Sequence, residues 1–297
     1  MPRYPVYVPS RGRVIFGRLP PLLVRDGVPF RLVVEPPEFD AYAARYGADR
    51  VIRLPFADAG SVVPARNFIK DHAIAAGFAW HWQIDDNIYA VLRWYRGRRI
   101  YVNAGVALRV VEEFADRYEN LAIAGLNYDT FSRGDAPPFF LNDRVYSCTL
   151  VNNAIPHRWR GVYNEDADLC LQVLSAGWCT ALINAFMVRK PETMAVRGGN
   201  TDAIYRGDGR LKMARALERL WPGVVKTDRR WHRPQHVIDW GRFRTPLRLR
   251  DGVDLAALPP NEFGMRLQQL APIKTPSLRA WHAGVTAGDG DGESADD

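Results

Sequence analysis

The chain has 297 residues, 47% of them hydrophobic and 25% charged, and a net charge of +7. That length holds one large domain or about two average ones, with a core that needs no staples, and the composition excludes a wholly disordered protein. The last twelve residues, TAGDGDGESADD, carry five acids and no base, so the rest of the chain carries +12. A basic body suits a polyanionic partner: nucleic acid, an anionic membrane surface or a phosphate-bearing donor.

No apolar run reaches the roughly 18 residues of a spanning helix, so no membrane insertion is expected. The N-terminus MPRYPVYVPSRGR lacks the apolar stretch of a signal peptide, and the sequence reads as a cytoplasmic protein. The three cysteines, Cys148, Cys170 and Cys179, lie 22 and 9 residues apart with no C-x-x-C. They read as small buried residues, not as a zinc site or a disulfide framework.

In chain order, residues 4–9 (YPVYVP) predict a strand that stops at the polar loop Ser10-Arg11-Gly12-Arg13. Residues 30–35 (FRLVVE) predict a second strand, 39–46 a helix and 51–54 a third strand. Residues 64–76 have a helical pattern stopped by Gly77, and 80–84 (WHWQI) form a strand ending in Asp85-Asp86-Asn87. Strands alternating with helices predict an α/β fold with a mainly parallel sheet, whose ligands bind beyond the carboxyl ends of the strands. The loops at 10–13, 35–38 and 85–87 then gather on one edge.

Further on, 109–118 reads as a helix, 121–126 as a strand, 129–143 as a long surface loop and 145–151 as a strand. Residues 164–176 predict a helix capped by Asn164, acidic in its first turn, with Leu169, Val173 and Ala176 on its buried face. Residues 180–186 return as a strand, and beyond Pro191 the sequence turns Arg-, Trp- and His-rich to about Trp281.

Three constellations carry chemistry. The adjacent acids of Asp85-Asp86-Asn87 repel one another, a cost that Mg²⁺ or Mn²⁺ offsets; an Asx-rich turn capping the next helix is the plainer alternative. Glu165, Asp166 and Asp168 start a helix, whose dipole holds acids ionised, as a base for a hydroxyl requires; any helix start also favours acids. Arg66-Asn67 lies in the helical PARNFIKDHA, where an arginine reaches a diphosphate at the sheet edge or faces solvent.

In order, SRGR, VVEP, ARNFIKDHAIAAGFAWHWQIDDN, YNEDADLCLQVLSAGW and Gly198-Gly199-Asn200 resemble a GT-A glycosyltransferase. Within that class the sequence is most similar to the TET-associated glycosyltransferase family, related to the enzyme that glucosylates hydroxymethyluracil in base J and linked to phage-type genomes. The resemblance covers residues 4–240. It implies a GT-A (Rossmann-like nucleotide-sugar-binding) fold and transfer of a sugar, from a UDP-sugar donor, to the hydroxymethyl group of a modified pyrimidine in DNA. The favoured acceptor is 5-hydroxymethylcytosine, which a TET-type oxygenase would supply.

The resemblance also implies roles for residues. Pro9, Ser10, Arg11, Arg13 and Glu35 line the nucleotide pocket, and Arg66 and Asn67 face the diphosphate or base. Asp85 and Asn87 flank Asp86 around sugar, ribose and metal, a departure from the usual Asp-x-Asp that leaves the liganding oxygen open. Asp166 is the catalytic base with Glu165 as its neighbour, and a single displacement inverts the anomeric centre.

Residues 206–250 hold thirteen Arg or Lys against four acids, a net +9, with Trp221, Trp231, Trp240 and Phe243 among them. Arginines for phosphates and aromatics for an extruded base predict DNA contact through Arg229, Arg230, Trp231, His232 and Trp240. The alternative is a helix with core tryptophans, since Leu211, Ala214, Leu217 and Leu220 have helical spacing. Residues 89–99 (YAVLRWYRGRR) repeat the texture on a smaller scale. His232 and His236, i and i+4 around Pro234, are more in keeping with structural histidines than with metal ligands, and Lys190 and Arg197 flank the Gly198 turn.

The predicted organisation is a GT-A core over 1–200, a basic acceptor-binding elaboration packed on it over 201–284, and a disordered acidic tail over 285–297. Two rival readings stand beside it: a GT-A enzyme acting on a saccharide or lipid-linked acceptor, and a DNA-binding module with an inactive glycosyltransferase fold.

Overall fold

The computed structural model of the chain describes residues 1–57, 60–191, 198, 207–230 and 233–266. The expectations for Arg197, Gly199, Asn200, Trp231, His232, Trp281 and the acidic tail lie outside the described residues.

A ten-stranded sheet organises the chain. Its strands are β1 (Val6–Pro9), β2 (Arg31–Val34), β3 (Val51–Arg53), β4 (Trp80–Ile84), β5 (Ala90–Tyr95), β6 (Arg98–Tyr101), β7 (Leu121–Tyr128), β8 (Phe139–Leu141), β9 (Cys148–Asn152) and β10 (Cys179–Arg189). They lie in the order β3-β2-β1-β4-β9-β7-β10-β5-β6, with β8 also on β10. β1, β2, β3 and β4 pair in parallel, as do β7 and β10. β9 runs against both β4 and β7, and β5 and β8 run against β10. The predicted α/β class with a mainly parallel sheet is the class the chain adopts.

Side chains alternate across the sheet, and both faces are covered, so the strands are apolar throughout rather than every second residue. On one face Val6, Val8, Leu32, Val34, Ala124, Leu126, Leu150 and Ala181 share a core with α1 (Leu19–Arg25) and α4 (Ala104–Ala115). On the other, Tyr7 and Val33 pack with Ile69 and Ala73 of α3 (Val63–Ala75). On that same side Ile123, Val151 and Leu182 pack with α5 (Glu165–Ser175) and with Leu217 of α6 (Gly209–Leu220). The remaining helix, α2 (Phe39–Tyr46), contributes buried Tyr42.

Several local expectations are corrected. Helix α4 begins five residues earlier than the 109–118 pattern, because Asn103 caps it by accepting the Val106 N–H. The stretch 129–143 is not all surface loop: it contains β8, and Asp129, Ser132, Phe140, Asn142 and Asp143 are buried. Asn164 does not cap α5 with its side chain; its amide donates to the Met213 carbonyl while its backbone is left-handed at φ 55°. Leu169 and Val173 are buried, but Ala176 faces solvent. The three cysteines are free and buried, as read.

Gly125 on β7 shows how tightly the sheet is built. A Cβ there would overlap the Cys148 carbonyl oxygen and Val145 Cγ1. Backbone and a branched side chain cannot swing aside, so Gly125→Ala should lower stability by about 1–3 kcal/mol through overpacking. Denaturant titration reads this as a lower midpoint at unchanged slope.

Candidate active site

The carboxyl edge of the parallel strands collects the chemistry-bearing residues. β1 leads into Ser10, β4 into Asp85, and β10 into Lys190. β9 is antiparallel, so its incoming end brings Ser147 to the same edge, where the Asp85 N–H donates to the Ser147 carbonyl at 2.7 Å.

Arg66 on α3 lies at the centre and is only 2% exposed, so the solvent-facing alternative for this residue is overturned. Its guanidinium is 3.4 Å from Asp85 Oδ1, 3.5 Å from Glu165 Oε1 and 3.3 Å from Asp166 Oδ2. Burial alone would make Arg66 a weaker base, but the carboxylates of Asp166, Glu165 and Asp85 outweigh it and hold the charge in place. Behind it a neutral chain fixes the ring of donors. His81, which burial keeps uncharged with its pKa pulled down to about 3, meets Asn153 and Gln83. Gln83 donates to the Arg66 carbonyl and accepts from Arg66 Nη1.

Asp166 accepts from Trp159 Nε1 at 3.2 Å and from the Ser147 N–H at 3.4 Å. Ser147 Oγ donates to Asp85 Oδ2 at 2.5 Å and meets Tyr128 Oη at 2.7 Å. Lys190 Nζ donates to Ser147 Oγ at 2.9 Å and lies 3.5 Å from Asp85 Oδ2. Lys190 is thus part of the acid cluster rather than a surface turn.

The expectation that the helix dipole keeps the Glu165 and Asp166 pair ionised is corrected. Desolvation is the larger effect: with the Asp166 charge beside it, it pushes Glu165 up to about 7 against the pull of Arg66. Burial likewise raises Asp166, with Arg66 opposing. Asp85 moves the other way, because Lys190, Arg66 and the Ser147 hydroxyl outweigh its own burial. Two acids with raised pKa values beside one held ionised suit proton transfer.

Asp86 turns away from this cluster. Its Oδ1 accepts from Arg13 Nη1 at 2.6 Å and its Oδ2 from Ser10 Oγ at 2.6 Å, and Ser10 also meets Tyr42 Oη. Glu38 accepts the Gly12 N–H, Arg11 lies 3.7 Å from Glu35, and Arg13 Nη2 donates to the Gly198 carbonyl. Gly198 has φ +83°, and a Cβ on it would lie 2.5 Å from the Gly12 carbonyl oxygen, so this approach requires glycine. Ser10, Arg11, Arg13 and Glu35 therefore share one polar mouth beside the end of β1, where Pro9 is the last strand residue.

The other expected site residues are placed elsewhere. The carboxamide of Asn67 is spent on both backbone groups of Trp159, so it positions that indole instead of reaching a donor. Asp168 is fully buried and bound by Arg160, Gln172 and Trp221, an anchor for the start of α5. Trp240 is 4% exposed in the core with Leu217, Val225 and Ile238, and cannot stack on a base. Arg229 is exposed and Arg230 ends the strand β11 (Val225–Arg230), which pairs with β12 (Arg233–Ile238). His236 on β12 is held neutral by burial, with its pKa pulled down to about 4. Sequence reasoning missed Ser147, Tyr128, Trp159, Gln83 and Tyr42, which no motif marks.

The expected metal site is not shown by the structure. Among the described residues no three acidic, histidine or cysteine side chains converge as a metal cluster. Both Asp86 oxygens are taken. Asp85 is 28% exposed, its Oδ2 accepts from Ser147 Oγ and its contacts to Arg66 and Lys190 are long, and among the described residues Asn87 Oδ1 is buried with no hydrogen-bond partner. Two hard oxygens, from Asp85 and Asn87, fit Mg²⁺ or Mn²⁺, and Asp86 does not.

Glu165 makes stability depend on pH. With its folded pKa near 7, above the usual 4.5, the native state holds this proton more tightly than the unfolded chain. Its stabilising effect is complete below about 4.5 and is lost as pH rises through about 7. Glu165→Gln should therefore gain up to about 3 kcal/mol on the wild type at pH 8 and nothing at pH 4.5. Thermal melts at the two pH values check this.

No curated protein matches the chain. Among solved structures, mannose-1-phosphate geranyltransferase from Thermus thermophilus shares 15% identity with a TM-score of 0.29. The alignment covers 74% of this chain and 64% of that one. The sequence profile of the TET-Associated Glycosyltransferase family matches residues 4–199, well over half of the chain. With a mainly parallel α/β sheet that gathers an acid cluster and a polar mouth at its carboxyl edge, the chain belongs to the TET-Associated Glycosyltransferase family.

Proposed function

We propose that this glycosyltransferase moves a sugar from a UDP-sugar to the hydroxymethyl group of a pyrimidine in DNA, with 5-hydroxymethylcytosine as the favoured acceptor. The observation that carries the reading is the acid cluster of Asp85, Glu165 and Asp166 around buried Arg66, at the edge where α/β sheets bind ligands. The net +12 of the chain before its acidic end supports a polyanionic acceptor. Among the described residues no helix is long and apolar enough to cross a membrane, and nothing specific favours a lipid-linked acceptor.

In this reading Asp166 removes the proton from the acceptor hydroxyl as its oxygen bonds to the anomeric carbon. The bond from that carbon to the UDP oxygen breaks with its electron pair leaving on the diphosphate, which inverts the centre. Arg66, Trp159 and the Ser147 N–H hold the Asp166 carboxylate in orientation. Glu165 sits beside it on the same cation. The polar mouth of Ser10, Arg11, Arg13 and Glu35 receives the nucleotide. A divalent ion on Asp85 and Asn87, when bound, offsets charge on the diphosphate. A hydroxymethyl acceptor arises by oxidation of a methylpyrimidine, so the reaction that supplies it is that of a TET-type oxygenase.

The direct test incubates the protein with a 5-hydroxymethylcytosine duplex and a panel of nucleotide-sugars, followed by mass spectrometry of the released nucleosides. A hexose-shifted nucleoside supports the reading; transfer only to a free sugar or lipid acceptor moves the enzyme to that class. Chelator should abolish transfer and Mn²⁺ restore it, and full activity in excess chelator removes the ion. Asp166→Asn should cut turnover by about 10²–10⁴ with donor affinity nearly intact. An active Asp166→Asn beside a dead Glu165→Gln exchanges the two roles.

A further inference from the structure

The hairpin formed by β5 and β6 presents arginines and exposed aromatic rings at the sheet edge. Residues 89–101 carry four arginines, four aromatic rings and no acid. Arg96 and Gly97 form its two-residue turn, both at positive φ. Tyr89 is 41% exposed, Tyr95 44% and Tyr101 66%. Arg93 and Arg96 lie over Tyr95, at 4.7 and 5.2 Å from the ring centroid; Arg93 also lies 4.6 Å over Phe263, and Arg99 lies 4.9 Å over Trp94 and donates to the Ser132 carbonyl at 2.9 Å. Among the described residues none of these arginines, nor Arg98, forms an ion pair with a carboxylate.

The hairpin is also joined to the acid cluster. The Tyr89 N–H donates to the Arg189 carbonyl at 2.9 Å, and Arg189 Nη1 donates to Tyr101 Oη at 3.1 Å. The next residue is Lys190, whose amine contacts Ser147 and Asp85. In 206–250, unlike the hairpin, some of the cations pair with carboxylates. Lys212 pairs with Asp208 and Arg248 with Glu119, while Arg242, Arg244 and Arg250 donate to backbone carbonyls. The tryptophan expected to stack there, Trp240, is core.

Resting on the DNA reading above, we propose that the β5–β6 hairpin is the nucleic-acid platform of this enzyme, with its arginines on phosphates and Tyr95 and Tyr101 against the sugars and bases that flank the reacting nucleotide. Arginines without a carboxylate partner meet phosphate without breaking an ion pair, and exposed rings offer sequence-tolerant stacking. Electrostatic contact of this kind is read directly in the salt dependence of binding.

The test measures binding of a 20-base-pair duplex with one 5-hydroxymethylcytosine across a sodium chloride series. Three proteins are compared: wild type, Arg96→Asn/Arg98→Gln, and Arg229→Gln/Arg233→Gln. Asparagine tolerates the positive φ at 96, melting curves confirm folding, and Arg98→Gln alone is the second hairpin variant. The hairpin double variant should bind on the order of tenfold more weakly, its log–log salt slope shallower by about 0.9 for each phosphate that is no longer neutralised. A hairpin variant with wild-type affinity and slope overturns the platform while the DNA reading stands, whether or not the Arg229 variant loses binding; it leaves the arginines as guards against edge-to-edge pairing. A wild type with no salt-sensitive duplex binding overturns the DNA reading itself.

Discussion

One buried guanidinium sets the geometry of the active site. Arg66 faces three carboxylates that come from two distant parts of the chain, Asp85 from the end of β4 and Glu165 and Asp166 from the start of α5. Three half-buried acids at such range would repel one another, and a cation taken out of water is costly unless paired. Each side makes the other tolerable, so neither strand end nor helix start can move alone. One positive charge does not neutralise three negative ones. Lys190 takes part of the excess at Asp85, and the rest appears as protons held more tightly on Glu165 and Asp166. That residual imbalance is what makes the cluster suitable for moving a proton.

The backbone around the cluster is held in uncommon conformations. Ser147 and Asn164 are both left-handed without being glycine, at φ 61° and 55°. Such residues cost on the order of 1–3 kcal/mol each and persist when their surroundings over-determine them. Here the surroundings are visible. Ser147 is gripped through its carbonyl by Asp85, through its hydroxyl by Tyr128 and Lys190, and through its N–H by Asp166. Asn164 is gripped by the hydrogen bond that its side-chain amide donates to the Met213 carbonyl of α6. The last of these ties the C-terminal region to the chemistry. α6 and the β11–β12 hairpin pack under α5 through Leu217, Val225, Ile238 and Trp240, and so support the helix that carries Asp166.

The mouth at the end of β1 and the acid cluster at the end of β4 stand side by side because Asp85 and Asp86 are adjacent residues that point to different partners. Asp86 closes a ring with Ser10, Tyr42 and Arg13, and Asp85 one with Ser147, Lys190 and Arg66. In the proposed reading the first takes the nucleotide and the second the sugar, with the acceptor hydroxyl approaching past Asp166.

Much of this was determined by the sequence alone. Short apolar runs alternating with helical patterns, glycines that stop helices and turn residues that end strands are local effects, so the α/β class was legible, as was the run of acids at a strand end and a helix start. Boundaries moved where a side chain intervened, as when Asn103 capped α4 early. Tertiary structure decided the rest. Nothing near Asp85-Asp86-Asn87 says that the first acid meets Arg66 and the second Arg13. Nothing near Trp240 says that its neighbours will be Leu217 and Ile238 instead of a base. Ser147, Trp159 and Lys190 reach the cluster only because β9 runs antiparallel beside β4 and β10 crosses to the far side of β7. Glu165 is pushed up by burial and by the Asp166 charge, which its place at a helix start does not reveal. Residue type and spacing dictate which local structure forms, but the partner and hydration of a side chain depend on what chain packs against it from a hundred residues away.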